Sequence, residues 1–207
     1  LLFDFEWANE NLYYGLYSRV DSYYPNSSLA AKGLPDEAER RLLDPYRGDI
    51  PEAVFGPAYT LVETTSENRR QNLRKARNLL REAGWRVIDG TLQKNGEPFS
   101  FEILLGAPED EKLALHFIRS LKRLGIEARP RVLDSAAFRG RLNEYDFDMV
   151  LYFWQNSLSP GTEQMLYWTC EAAEQPARWN FPGICEPAID AIAASIAEAE
   201  TREELVT

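Results

Sequence analysis

The sequence predicts an α/β fold, an open mixed sheet with helices on its faces, and three observations carry that expectation. Strand-like and helix-like patterns alternate from Phe99 to Trp154 in the order β-α-β-α-β, which favours one sheet with right-handed crossovers. The helical segments each carry a single apolar stripe and so have one face to bury. Residues Phe147 to Trp154 are almost unbroken apolar and aromatic, interrupted only by Asp148. That run is too short for a globular helix and reads as a strand buried on both faces.

The elements follow in order. Residues 3–19 hold Phe3, Phe5, Trp7, Tyr13, Tyr14 and Tyr17 among Asn9, Asn11 and Ser18, the pattern of a helix or broken helix with polar groups turned inward, which need partners. Residues 21–66 are interrupted by Pro25, Gly33, Pro35, Pro45, Gly48, Pro51, Gly56 and Pro57. Only one short helix, Asp36 to Leu43, is expected there. A stretch this irregular wraps over a surface or carries function. The spacing of Leu73, Ala76, Leu80 and Ala83 predicts a helix over Asn68 to Ala83, stopped by Gly84. Asp89-Gly90 and Asn95-Gly96 bracket a hairpin around Thr91 to Lys94.

Phe99 to Leu105 is a strand with at least one buried face, and Glu109 to Leu124 a helix with Leu113, Phe117, Leu121 and Leu124 as its stripe. Ile126 to Val132 alternates cleanly, and Pro130 pushes it to a sheet edge. Asp134 caps a short helix, Ser135 to Leu142, ahead of the aromatic strand. The last fifth places Trp168, Trp179, Asn180 and Phe181 in a loop-like region before a helix after Pro187, striped by Ile189, Ile192 and Ile196.

Composition narrows the function classes. At 207 residues with 44 % hydrophobic and 27 % charged side chains, the chain is long enough to bury a core and is not disordered. A net charge of −10 argues against nucleic acid, which requires a cationic face. The basic run Arg69, Arg70, Arg74, Lys75, Arg77, Arg81 and Arg86 is the local exception, read as a solvated helix face. Both ends have the look of cuts, so a piece of a longer protein is expected. Cys170 and Cys185 are too few for a zinc site. They are one disulfide or two buried thiols, a choice set by a Cα separation that sequence does not supply.

Catalytic groups are sparse. The one histidine, His116, lies on the flank of a helix stripe with no partner motif. Asp146 and Asp148, two apart on a strand, share a face, so a peptide or glycan hydrolase working with that carboxylate pair is the alternative function. Aromatic and amide side chains remain: Tyr152, Phe153, Trp154, Gln155, Asn156 and Ser157 at the end of the aromatic strand, with Asn9, Tyr13, Trp168 and Asn180 elsewhere. Rings beside uncharged hydrogen-bonding groups suit a polar, weakly ionic ligand such as a peptide backbone or a sugar, at the carboxyl ends of sheet strands. No metal and no cofactor is expected.

Several passages resemble a known family. Leu73-Arg74-Lys75-Ala76-Arg77-Asn78-Leu79-Leu80-Arg81-Glu82-Ala83-Gly84-Trp85 is similar to the LL-x-EAG-W passage of bacterial extracellular solute-binding protein family 5, the peptide and nickel receptors of ABC importers. Leu121-Lys122-Arg123-Leu124-Gly125-Ile126 resembles its L-x-x-LGI passage, and Tyr145-Asp146-Phe147-Asp148 its YDFD strand. Trp154 to Gly161 with Glu163, the opening Phe3-Asp4-Phe5-Glu6-Trp7, and Asn180 with Pro187-Ala188-Ile189-Asp190 resemble the YejA-type branch.

The resemblance implies one lobe of a type II periplasmic binding protein. Residues 1–207 would be the second, ligand-binding lobe, with 1–66 a wrapping segment, 67–165 the sheet core, and 166–207 an aromatic loop and terminal helix. It implies a periplasmic, non-enzymatic receptor that delivers an oligopeptide or modified peptide to permease subunits and meets the membrane only through them. In relatives the strand matching Phe147 to Trp154 lends backbone groups to an extended peptide, and an acid just beyond holds the peptide's amino terminus. The matching position here, Asn156, is neutral, which puts recognition of a free amine in doubt.

Overall fold

The computed structural model of the protein describes residues 1–155 and 157–206. The expected ligand contact Asn156 lies outside the described residues. The chain forms two compact units, one of Leu1–Arg19, Leu61–Arg141 and Asp146–Phe153, the other of Val20–Thr60, Leu142–Tyr145 and Trp154–Thr207. This grouping cuts across the sequential division into 1–66, 67–165 and 166–207, because packing in space and order along the chain need not coincide.

Helix α1 (Phe5–Leu12) begins at Asp4, whose carboxylate accepts the Trp7 backbone N–H and so satisfies one of the first-turn donors. Helix α2 (Glu37–Leu43) starts with a reciprocal cap: Asp36 accepts from the Ala38 and Glu39 amides, and the Glu39 carboxylate accepts from Asp36 N–H. Helix α3 (Arg69–Glu82) leads into an antiparallel sheet of β1 (Arg86–Ile88), β2 (Thr91–Lys94) and β3 (Glu97–Pro98). Its turns, Asp89-Gly90 and Asn95-Gly96, have φ of 49°, 84°, 55° and 86°, the left-handed pairs that tight hairpins demand.

The core sheet of the first unit is parallel. It consists of β4 (Ser100–Leu105), β5 (Glu127–Val132) and β6 (Met149–Val150) in the order β5-β4-β6. Helix α4 (Glu111–Lys122) connects β4 to β5, and α5 (Ser135–Asn143) precedes β6. The α/β expectation therefore holds, with parallel and antiparallel pairs divided between two sheets. Pro130 sits on the edge strand β5, opposite Ile103, where its missing N–H costs the ladder least. Asp134 caps α5 by accepting from Ala136 and Ala137.

Ile103, Leu104 and Leu105 are consecutive and all buried, Leu105 completely, so β4 is covered on both faces as a central parallel strand must be. Burying such a side chain stabilises the fold by about 1.5–3 kcal/mol. Ala76 of α3 meets Leu92, Leu121, Leu124 and Ile126 in one apolar cluster, while Ile103, Leu105 and Ala114 form another. Gly125, at φ 81°, lets the α4–β5 connection lie against β2: its carbonyl accepts the Leu92 N–H at 2.7 Å, and a Cβ there would stand 2.8 Å from that nitrogen.

The aromatic run requires a correction. Only Met149 and Val150 are strand, and the run lies at the edge of the sheet rather than at its centre. Parallel pairing covers Ile103 with Met149 and Leu104 with Val150, after which β4 ends. With β4 as its one strand neighbour among the described residues, the run is not buried on both faces: Met149 is 38 % exposed and Phe153 74 %.

The second unit holds α2 and continues with α6 (Gln164–Trp168), α7 (Cys170–Glu174), α8 (Pro187–Ser195) and α9 (Arg202–Val206). Cys170 and Cys185 are joined as a disulfide with a Cα separation of 4.1 Å, which resolves the choice between one bridge and two thiols.

Candidate functional site

The second unit gathers rings around Trp154. Its indole lies against Tyr167 edge-on at 5.1 Å, Trp168 at 5.7 Å and Phe181 at 5.5 Å between centroids. Tyr167 in turn stacks on Trp179 at 5.3 Å, and Tyr23 meets Trp168 edge-on at 4.9 Å. Trp154, Tyr167, Trp168, Trp179 and Phe181 are all half-buried, so each is partly exposed to solvent. Beyond Trp154 the chain turns to exposed Gln155, Ser157 and Ser159; the Ser157 hydroxyl accepts the Ser159 N–H.

Sequence spacing explains half of this arrangement. Gln164 and Trp168 stand at i and i+4 on α6, and the indole N–H donates to the Gln164 amide oxygen at 2.9 Å, which sets the ring's tilt. The Gln164 amide donates on to Glu163, whose carboxylate also accepts the Gly161 N–H at 2.9 Å. That backbone bond holds the Glu163 carboxyl below its ordinary range. Tyr24 sits beside this chain of bonds. Burial pushes its hydroxyl above its ordinary pKa, the Glu163 charge and Tyr167 add to this, and a bond with Gln164 opposes it.

The other half depends on a pinned loop. Asn180 is 1 % exposed. Its amide donates to the carbonyls of Thr169 at 2.9 Å and Ile184 at 2.7 Å, and its oxygen accepts the Ile184 N–H at 2.9 Å. The disulfide closes the same loop, and Asp190 of α8 accepts the Cys170 N–H. Trp179 and Phe181 flank Asn180 and are placed by it. The predicted contact Asn180 therefore spends its amide on the backbone beneath the rings and offers nothing to a ligand.

The remaining predicted residues divide by unit. Trp154, Trp168 and Asn180 come together in the second, while Tyr152, Phe153, Asn9 and Tyr13 belong to the first. Tyr152 and Phe153 lie near-parallel at 6.1 Å, with Phe153 largely exposed. Asn9 is buried and clamps Tyr17, accepting its N–H and donating to its carbonyl. Tyr13 packs edge-on to Tyr17 at 4.8 Å, and burial, then Asp110, raises its hydroxyl's pKa. Sequence reasoning named Glu163 only within the family resemblance and did not single out Tyr23, Tyr24, Gln164 or Tyr167; the i, i+4 relation of Gln164 and Trp168 is the available signal.

The carboxylate pair is engaged structurally. Asp146 forms an ion pair with Arg141 at 2.9 Å, and Asp148 accepts the Glu102 N–H at 3.0 Å, tying β6 to β4. His116 stacks on Trp7 at 4.2 Å with Phe3 on its edge, packing α1 on α4. Among the described residues, no group of three or more His, Cys, Asp or Glu could hold a metal ion, and no helix is long and apolar enough to cross a membrane.

The family model for bacterial extracellular solute-binding proteins, family 5 middle, matches residues 1–175. A putative binding protein of Brucella melitensis is 40 % identical over 210 residues, covering 100 % of this chain and 34 % of that protein. A probable peptide-binding protein, YejA, of Agrobacterium fabrum is 33 % identical over 99 % of this chain and 34 % of its own length. The oligopeptide-binding protein AppA of Bacillus subtilis, solved in complex with a nonapeptide, superposes with a TM-score of 0.71 at 20 % identity, over 99 % of this chain and 35 % of that one. The chain thus spans about a third of the length of the curated relatives it matches.

Proposed function

This chain belongs to the bacterial extracellular solute-binding proteins of family 5, and we propose that its aromatic cluster at Trp154 is a contact surface for an oligopeptide or peptide-like solute. In this reading the protein is the periplasmic substrate-binding component of an ABC importer and hands its cargo to permease subunits. The observation that carries it is the partly exposed indole of Trp154, set among Tyr167, Trp168 and Phe181 and followed by exposed Gln155 and Ser157. Rigid aromatic faces gain contact area at little entropic cost, and adjacent amides and hydroxyls pair with a peptide's N–H and C=O groups. The names of the Agrobacterium relative and of the Bacillus structure support a peptide as ligand. The disulfide supports an oxidising compartment outside the cytoplasm.

Hydrolysis by Asp146 and Asp148 gains no support, since each carboxylate is engaged in holding the backbone or Arg141. Native mass spectrometry of the protein purified without denaturation tests the proposal. An intact peptide is expected on the wild type. Trp154→Ala should lower affinity for that peptide about 30-fold or more, as loss of a central aromatic anchor does. Unchanged affinity in that variant would remove the cluster from the binding surface, and cleaved peptide would restore the hydrolase.

A further inference from the structure

Ligand capture makes no use of the outer face of α3. Arg70, Arg74, Arg77 and Arg81 stand at i, i+4, i+7 and i+11, a single helical stripe, which spans about 16 Å at 1.5 Å per residue. Leu73, Ala76 and Leu80 take the inner face into the apolar cluster, and all four arginines are exposed. Among the described residues none of the four joins an ion pair, and the helix carries one carboxylate, Glu82, at its end. Like charges at these spacings weaken a helix, and no acidic neighbour on α3 relieves the repulsion.

Charge is unevenly shared as well. The first unit has 17 Lys and Arg against 16 Asp and Glu, and the second has 6 against 17. The stripe is therefore a concentrated positive field on a nearly neutral unit of an acidic protein. Its chemistry suits phosphate: every member is a fixed positive charge, and a guanidinium can also pair phosphate oxygens through its planar fork. A stable protein interface needs an apolar or aromatic centre. The stripe is bordered by Gln71 and Asn78, and Leu79, the exposed large apolar residue of α3, lies on the far side of the helix. A flat field of headgroups needs no such anchor.

We propose that the Arg70–Arg74–Arg77–Arg81 face of α3 docks electrostatically on the anionic phospholipid headgroups of a membrane surface. This contact is direct and adds to any made through a permease. Flotation of the full chain with phosphatidylcholine vesicles containing about one-third phosphatidylglycerol, against pure phosphatidylcholine, tests it. Binding to the anionic vesicles alone is expected, lost at about 0.5 M salt. Each arginine removed should lower partitioning about fivefold, so Arg74→Gln with Arg77→Gln should lower it about 25-fold. Arg74→Lys with Arg77→Lys should stay within about threefold, since the surface charge is kept. Arg129→Gln with Arg131→Gln, exposed on β5 and outside the stripe of α3, should leave binding unchanged. Equal loss in the β5 pair, equal binding to neutral vesicles, or no flotation by the wild type at low salt would each overturn the proposal. Retention on immobilised polyglutamate without vesicle binding would also overturn it, in favour of an acidic protein face.

Discussion

Replacing Asn180 tests whether one buried amide organises the aromatic cluster. Its three hydrogen bonds all go to backbone groups, the Thr169 carbonyl and both polar groups of Ile184, at 2.7–2.9 Å, with 1 % of the residue exposed. A net hydrogen bond contributes about 1 kcal/mol, and orphaned buried partners raise the loss. Asn180→Ala should therefore destabilise the second unit by about 3 kcal/mol, with the small cavity adding to it. Asn180→Asp separates packing from donation: the shape is kept, but a carboxylate faces two carbonyls that need a donor, so this variant should be at least as unstable as the alanine. Urea unfolding followed by tryptophan fluorescence is the assay, because three of the five tryptophans, Trp154, Trp168 and Trp179, lie in that unit. A loss below about 1 kcal/mol in Asn180→Ala, or an aspartate variant as stable as wild type, would refute the bracing role.

Two further outcomes follow from the same packing. The Cys170–Cys185 bridge spans a sequence separation of 15, and restraining a loop of that length is worth about 3 kcal/mol. Paired Cys170→Ser and Cys185→Ser substitutions should cost that much, and less than the full sum when combined with Asn180→Ala, since both act on one loop. Acid should weaken the first unit through His116. Burial holds its pKa below the ordinary 6.5; Asp4 opposes this, while Arg69 and Arg119 assist it, and its Nε2 is buried without a partner. The unfolded chain then binds the proton first, so stability falls as pH drops below 6.5 and keeps falling until the folded-state value is passed. His116→Gln should flatten that part of a pH series of urea midpoints; an unchanged slope would assign the acid sensitivity to other groups.

Local chemistry was legible from the order of residues. Asp134 and the Asp89-Gly90 and Asn95-Gly96 turns act within a few residues, and the structure uses them for a cap and left-handed turns as expected; the reciprocal cap of Asp36 and Glu39 is equally local. Pro130 named its own edge strand. The run at Phe147 misled because hydrophobicity states how much a segment gains by burial, not how many neighbours the sheet supplies. Asn9 and Asn180 misled for a related reason. An amide among aromatics suits a ligand, but the same amide is equally suited to closing a backbone loop, and only distances tell the two apart.

The aromatic cluster joins residues remote along the chain, from Tyr23 through its contact Trp168 to Trp154 and Phe181. By itself the sequence determined the helices of the sheet core, the turns, the β-α-β-α-β order and the family to which the chain belongs, because periodicity, capping and motif order are properties of short segments; α6 and α7 formed where a loop was expected, since neither carries an apolar stripe long enough to announce itself. Tertiary structure alone decided which strand is central, that Cys170 pairs with Cys185, and that Trp154 meets Tyr167, Trp168 and Phe181. Those outcomes depend on distances between segments remote in the chain, which closure of the intervening loops sets and no local pattern records.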